Sequence, residues 1–471
     1  KDLEVACQEG KVSLLKGFGK KTEQAILSNI AFAQNPDNSR VLWDEADQII
    51  SLLIQWMKKS DSVHRIEAAG SWRRGRETVG DLDLLVESDQ AKEVMDHFLA
   101  WEHTDHVIMQ GDSKTSIRGP HGIQVDMRVV EKQSFGAAWQ YFTGSKEHNV
   151  KLRSRAKKLG FSINEYGVTE LNKTDGKILA GKSEKDVYAA VGLEWIPPEL
   201  REDRGEFELS EKAELPKLIT LADIRGDLHM HTTATDGEAT LEQMADAAQS
   251  LGWTWLGIAD HSPTLKVANG APADRLLEQG QKIRKYNQNW QDEGVNFRLF
   301  HGVELDILSG GKLDHPDEVL NELDYVVASV HAMTKWRGRD ESENTEELLK
   351  VLEHPATKVL GHPTGRILQG REGYEVDVHR LIDAMAEHIE EGRFKSIELN
   401  ASPYRLDIDY RLCKYAKLMG VPVAISPDAH SIRGLADIQY GVMTARKGWL
   451  EQGDVINSMS ADALAQQLAL Q

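Results

Sequence analysis

Cysteine is almost missing: Cys7 and Cys413 are the only two in 471 residues. Nothing suggests a disulfide framework, and the chain fits a reducing cytoplasm. Any metal site must therefore use His and carboxylate ligands. Long apolar runs are missing too. None approaches the roughly 18 residues that would span a bilayer, so no membrane partner is expected. The opening KDLEVACQEG lacks the charged-then-apolar pattern of a secretion signal. It also lacks Met, and the chain reads as a fragment or a processed form. Positive charge is in the minority, with 56 Lys and Arg against 75 Asp and Glu and a formal net charge of −19. That argues against general adhesion to nucleic acid. The rest is ordinary for a soluble protein, with 40% hydrophobic and 28% charged residues in a length that allows two or three domains.

Residues 1 to about 35 read as helical, with a Gly17-Phe18-Gly19 hairpin between apolar-periodic segments. A second helical stretch has apolar positions at Val41, Leu42, Ala46, Ile49, Ile50 and Leu53. AAGSWRRGRETVGDLDLLVES follows as a glycine-punctuated loop running into a strand, and IQVDMRVV, Ile123 to Val130, is a second strand. From Tyr141 to Leu159 the pattern is a turn and then a basic helix. The stretch from Trp195 to Leu218 is rich in charge and Pro and reads as an interdomain linker. Beyond it, short apolar strands alternate with helices: WLGIADH, FRLFHGVELDI, DYVVASVH, KVLGHP, KSIELNAS and VPVAISPDAH. Such alternation predicts a parallel sheet or barrel.

In GDLDLLV, Asp81 and Asp83 stand two residues apart on a strand and so share a face. Asp126, in the second strand, could supply a third carboxylate. Three carboxylates with open positions suit Mg²⁺, which keeps waters and binds substrate phosphates. Upstream, the glycines of Gly70-Ser71-Trp72-Arg73-Arg74-Gly75 let backbone N–H groups approach phosphate. Ser71 and Arg74 add a hydroxyl and a guanidinium. D-x-D alone is common on surfaces, and its meaning here comes from that loop and from Asp126.

With Gly80-Asp81-Leu82-Asp83, this loop resembles the palm motif of family X DNA polymerases, the polymerase beta group. Tyr141-Phe142-Thr143-Gly144-Ser145 resembles the family's steric gate, and Gly160 to Tyr166 resembles a stretch of its nucleotide-binding subdomain. The resemblance implies that Asp81, Asp83 and Asp126 are catalytic metal ligands for Mg²⁺. It also implies that Gly70, Ser71, Arg74, Gly80, Tyr141, Phe142, Gly144, Asn149 and Arg153 bind the nucleotide. Lys146, Lys151 and Arg155 belong to a basic helix expected to contact DNA phosphates. Gly17 and Gly19 resemble a helix-hairpin-helix, which offers backbone N–H groups to a DNA phosphate.

The second half holds a larger constellation. His229 and His231 alternate on one strand, and Asp428 and His430 repeat that spacing near the end. Between them lie Asp236, His261, Glu304, His331 and His362, mostly at the C-terminal ends of apolar strands, where parallel α/β barrels collect their active sites. Singly, each histidine would pass for a hydrogen-bonded core or surface residue. Imidazole with carboxylate suits Zn²⁺, Mn²⁺ or Fe²⁺, and such ions activate water for attack on a phosphate ester.

The set resembles the PHP domain, named for polymerases and histidinol phosphatase. That implies a distorted (β/α)7 barrel with up to three ions, Mn²⁺ or Zn²⁺. His229, His231, Glu304 and Asp428 would hold the first, Glu304, His331 and His362 the second, and Asp236, His261 and His430 the third. Arg366 and Arg405 would act as phosphate clamps.

Together the halves resemble the bacterial-type family X DNA polymerase with a C-terminal PHP domain. The fold class expected is α/β and α+β multidomain, a polymerase beta-like palm with helical flanking subdomains followed by the PHP barrel. The boundaries expected are partial fingers at 1–35, palm at 36–132, thumb-like subdomain at 133–200, linker at 201–222 and PHP domain at 223–471. The function expected is gap-filling DNA repair synthesis combined with 3′-5′ exonuclease or phosphoesterase activity. Partners would be gapped or primer–template DNA and deoxynucleoside triphosphates, for a monomer in the cytoplasm at the nucleoid. The rivals are a phosphatase acting on a small phosphomonoester, a non-catalytic DNA-binding protein with structural metals, and a nucleotidyltransferase that modifies RNA or protein.

Overall fold

The computed structural model describes residues 2–14, 19–20, 23, 40–172, 177–331 and 333–469. The chain divides into two units, Lys1–Leu215 and Pro216–Gln471. No described helix is long and apolar enough to cross a membrane.

In the first unit, β1 (Val41–Leu42) and β3 (Thr78–Val79) form a short antiparallel pair. The main sheet runs β2-β4-β7-β6-β5, built from β2 (Arg65–Ala68), β4 (Asp81–Glu87), β5 (His106–Gln110), β6 (Lys114–Arg118) and β7 (Gln124–Val130). Only β4 and β7 pair in parallel. The period-two pattern of β4 sets its surroundings. Leu82, Leu84 and Val86 enter one core with Leu53 of the helix Trp43–Met57 and Phe98 of the helix Ala91–Leu99. Leu85 points to the other face and packs with Phe135 and Ala138 of the helix Phe135–Thr143. Asp81 and Asp83 share parity with Leu85 and so face the end of that helix, where Tyr141 to Gly144 stand.

The helix Lys146–Lys158 follows, capped by the Ser145 hydroxyl, and then the hairpin of β8 (Phe161–Asn164) and β9 (Gly167–Glu170). The expected linker at 201–222 needs correction. Residues 206–212 are helical, and Arg201, Glu206 and Ser210 are buried. Arg201 donates to Glu184 at 2.7 Å, and Glu206 accepts from His148 at 2.8 Å. Buried partners neutralise charges that the sequence suggests are solvated, so residues 201–215 belong to the first unit, and 216–222 to the second. Of the hairpin glycines, Gly17 lies outside the described residues.

The second unit holds β10 (Trp255–Ile258), β11 (Arg298–Leu308), β12 (Lys312–Leu313), β13 (Tyr325–Ser329), β14 (Thr357–Leu360), β15 (Ser396–Asn400) and β16 (Val423–Ser426). Six of the strands run parallel in the order β10-β11-β13-β14-β15-β16, and β12 pairs antiparallel with β11. Helices such as Leu241–Ser250, Ala273–Glu293, Glu341–Glu353 and Val378–Glu390 connect them. The segment 227–231 closes the curl. Gly257 N–H donates to the Asp227 carbonyl at 2.7 Å, and Ala259 N–H to that of Met230 at 2.9 Å. On the other side His231 N–H donates to the Ala429 carbonyl at 2.9 Å. This segment is a seventh stave joining the first and last strands, although its ladder is reduced to one bridge, Met230 to Ala429.

Candidate active sites

The first site follows from register. Asp83 and Asp126 are direct neighbours across the parallel pair β4 and β7, and Asp81 lies two residues upstream. Gly70 makes room for them. Its φ is +65°, and a Cβ there would sit 2.8 Å from an Asp83 carboxylate oxygen. Burial, then Asp81 and Asp126, push the Asp83 carboxyl up to about 7, and burial and Asp126 also raise Asp81. Asp126 moves the other way. Burial opposes its charge, but Lys114 at 3.0 Å and Gln124 at 2.8 Å hold it below the usual range. Two carboxyls that resist their own charge beside a third that is held ionised form a donor set suited to a hard divalent cation.

An open cleft of about 390 Å³ lies over Asp81 and Asp83. Gly70, Ser71, Arg74, Asp81, Asp83, Tyr141, Phe142, Gly144, Lys146, Asn149 and Arg153 line it, while Gly80 and Asp126 stand outside the lining. Asn149 is fixed from both sides, donating to the Tyr141 carbonyl at 2.7 Å and accepting from Gln140 at 2.8 Å. Arg74 donates to the Thr143 carbonyl and to Glu202. Arg73 is a structural member of the motif. It makes a two-pronged bond to buried Glu184 at 2.7 and 2.8 Å and another to the Thr143 hydroxyl at 2.7 Å. A larger cleft of about 970 Å³ at the far end of β4 includes Glu87, Asp89, Glu131 and Glu165. Its acidic lining holds none of the expected residues.

Two expected DNA contacts are committed elsewhere. Lys151 pairs with Asp203 at 2.8 Å and Glu208 at 2.9 Å, and Arg155 pairs with Glu211. In this structure these partly exposed cations pair with the 203–211 stretch.

In the second unit the expected ligands converge at the C-terminal ends of the strands. Glu304 is the hub. His229, His331 and His362 reach its Oε1 at 3.3, 3.2 and 2.9 Å. His261 and His231 reach its Oε2 at 2.8 and 3.7 Å. Three overlapping groups have donor atoms close enough to share an ion: His229, His231, Glu304 and Asp428; His231, Asp236, His261 and His430; and His261, Glu304 and His331. This grouping differs from the expected one in two ways. His231 joins the third set, and His261 takes the place of His362 beside Glu304 and His331.

The site's buried atoms are arranged for an ion. His231 Nδ1 and His362 Nδ1 are buried with no hydrogen-bond partner, and the approaches of His229 Nε2 and His261 Nδ1 to Glu304 are close without being aligned as hydrogen bonds, which is costly unless something else satisfies these atoms. Glu304, opposed by burial, is held well below the usual range by His331 and His229. His261 is lifted to about 9 by Asp236 and Glu304, and His331 to about 10 by Glu304 and Asp306, in both cases against burial. Asp428 and His362 adopt φ of +57° and +24°, a local strain of the kind that collects at functional sites.

Sequence reasoning missed the residues that aim the ligands. Glu398, on β15, accepts His229 Nδ1–H at 2.6 Å and His362 N–H at 3.1 Å. Asp306 receives His331 Nδ1–H at 3.1 Å. Asp260 accepts from Thr232 N–H at 2.8 Å and from Gln279 at 2.6 Å, anchoring the loop that carries Asp236. Glu398 lay in plain view in KSIELNAS at the end of an apolar strand, and that position was its signal. Carboxylates of this kind fix the imidazole tautomer and raise ligand basicity. Glu398→Gln is therefore expected to weaken metal binding by roughly 10- to 100-fold, read by competition with a chromogenic chelator. Unchanged affinity would remove Glu398 from this role.

The DNA polymerase beta palm family matches residues 40–118, the DNA polymerase beta thumb family 138–202, and the PHP domain family 227–402. The chain belongs to the family X DNA polymerases, in the form that joins a polymerase beta-like half to a PHP domain. It is 38% identical over 462 residues to the DNA polymerase/3′-5′ exonuclease PolX of Bacillus subtilis, covering 97% of this chain and 78% of that protein. A probable phosphatase of Caldanaerobacter subterraneus is 31% identical over 213 residues, covering 43% of this chain and 75% of the relative. A probable phosphatase of Acetivibrio thermocellus is 30% identical over 211 residues, covering 43% and 78%.

Proposed function

We propose that this chain is a DNA-directed DNA polymerase that fills short gaps and carries a metal-dependent 3′-5′ exonuclease in its second unit. The observation that carries the reading is a carboxylate trio on two paired strands and an imidazole–carboxylate cluster on the same chain. One faces a cleft lined by Ser71, Arg74, Tyr141 and Asn149, and the other gathers about Glu304. Divalent ions, Mg²⁺ at Asp81, Asp83 and Asp126 and up to three Mn²⁺ or Zn²⁺ ions at the PHP ligands, would supply Lewis acidity and an activated attacking oxygen.

The chain's own side chains do the rest. Ser71 and Arg74 offer a hydroxyl and a guanidinium to a triphosphate at the carboxylate trio. Tyr141 and Phe142 form the wall beside the nucleotide sugar. In the second unit Glu398 and Asp306 fix the faces that His229 and His331 present. The enzyme acts as a monomer on primer–template DNA and deoxynucleoside triphosphates, in the cytoplasm at the nucleoid.

A gapped, 5′-labelled primer–template with Mn²⁺, with and without deoxynucleotides, tests this. Asp83→Ala should abolish extension and spare shortening, and His229→Ala should do the reverse. Shortening that survives His229→Ala would separate the PHP half from the nuclease. The relatives named as probable phosphatases make a small phosphomonoester the second reading for that half. Turnover of such an ester in preference to DNA would favour it.

A further inference from the structure

The mouth of the second site carries features that its ligands do not use. Tyr404, a large ring, is 59% exposed. It stands in the loop 401–409 that leaves β15, and this loop is stitched to the one after β14. Leu368 N–H donates to the Tyr404 carbonyl at 2.7 Å. Thr364 and Gly365 N–H groups donate to the buried Asp407 carboxylate at 3.0 and 2.9 Å. Thr364 is two residues beyond His362, so the exposed ring and that ligand ride on one bonded pair of loops.

Three arginines come one from each of three successive loops at the C-terminal ends of the strands. Arg337 follows β13, Arg371 follows β14 and Arg405 follows β15. They are close enough to disturb one another. Burial first, then the like charges of Arg405 and Arg337, depress the Arg371 guanidinium. Arg371 donates to the Gly365 carbonyl at 3.1 Å, while its Nε is buried without a partner. Arg337 and Arg405 form no ion pair among the described residues. Arg366, the other expected clamp, is consumed by the Arg405 and Leu406 carbonyls. In a chain of net charge −19, three neighbouring guanidinia beside a hydrolytic centre call for an anionic occupant.

We propose that Tyr404 and the guanidinia of Arg337, Arg371 and Arg405 form a docking track for single-stranded nucleic acid. The ring stacks on a base, and the guanidinia hold phosphates of nucleotides flanking the one removed. This rests on the reading of the second unit as a phosphodiesterase and names its substrate as a polymer strand. A small phosphomonoester has neither a base for the ring nor flanking phosphates for three cations. Stacking is indifferent to sequence, because every base has a π-face, which suits an enzyme that shortens whatever end it meets.

The test compares wild type, Tyr404→Ala, Tyr404→Phe and Arg337→Ala on a 5′-labelled single-stranded oligonucleotide and on bis(p-nitrophenyl) phosphate, in Mn²⁺. Tyr404→Ala should raise the oligonucleotide KM roughly tenfold with kcat and small-diester turnover held, and Tyr404→Phe should restore it. Arg337→Ala should flatten the salt dependence of oligonucleotide binding by about 0.7 in log–log slope. An unchanged KM in Tyr404→Ala overturns the proposal. So does a loss of diester turnover that parallels the loss on the oligonucleotide, since the residue would then be shaping the metal centre. Wild type that hydrolyses the diester and leaves the oligonucleotide intact overturns the nuclease reading itself.

Discussion

Asp83→Asn is expected to abolish primer extension and, at the same time, to make the metal-free protein more stable above pH 7. The carboxyl titrates at about 7, raised by burial and by Asp81 and Asp126. In the unfolded chain it titrates near 4. Between those values the folded state holds a proton that the unfolded state has lost, so stability falls as pH rises from about 4 to 7 and is level above. A shift of this size converts to about 4 kcal/mol. Water in the open cleft screens part of it, leaving on the order of 2 kcal/mol, or about 5 °C in Tm. Asn carries no charge to bury and should lose that pH dependence. Thermal melts in EDTA from pH 5 to 9 measure it, and a variant no more stable than wild type at pH 8 would refute the electrostatic account. Excess Mg²⁺ should stabilise wild type and leave the variant nearly unmoved.

Glu304→Gln should have the larger effect on the second unit. One fully buried carboxylate faces five imidazoles within 3.7 Å. Together with Asp236 beside His261 and Asp306 beside His331, its charge lifts these imidazoles to about 9 and 10, against burial. A divalent ion must displace their protons, so metal uptake by wild type at pH 7.5 should acidify a weakly buffered solution. With Gln the charge is gone. Bound metal, proton release and 3′ shortening should fall together, while primer extension continues. Metal analysis after gel filtration, beside a pH-indicator titration, checks this. A variant that kept both its metal and its shortening would remove Glu304 from the centre.

The parts of these sites visible in sequence were those whose chemistry is local. The period of two put Asp81 and Asp83 on one face, and the strand-end positions of the histidines set them apart from ordinary core residues. The parts that stayed hidden depend on partners distant in sequence. Glu398 is 169 residues from His229, and nothing beside it declares that it receives an imidazole proton. The expected linker at 201–222 looked like a tether because a charge-rich stretch with prolines, such as that from Trp195 to Leu218, usually means water. In the fold, Arg201 is balanced by Glu184, whose carboxyl Arg201 and Arg73 hold far below the ordinary range against burial. The acids that meet Lys151 and Arg155 were hidden for the same reason, since a basic helix announces its charges but not their partners.

The seventh stave has a bearing on how the protein is made. His231 meets Asp428 across 197 residues of intervening chain, because the segment at 227–231 closes against the one at 428–430. A ribosome delivers the first histidines long before the last carboxylate. Until the final strand leaves the exit tunnel, the half-built curve has an open edge and an incomplete ligand set. Metal capture by the two ligand groups that include Asp428 or His430 must then come late in synthesis, after closure, while the polymerase half can already be folded. A nascent chain stalled before Asp428 would extend primers and be unable to trim them.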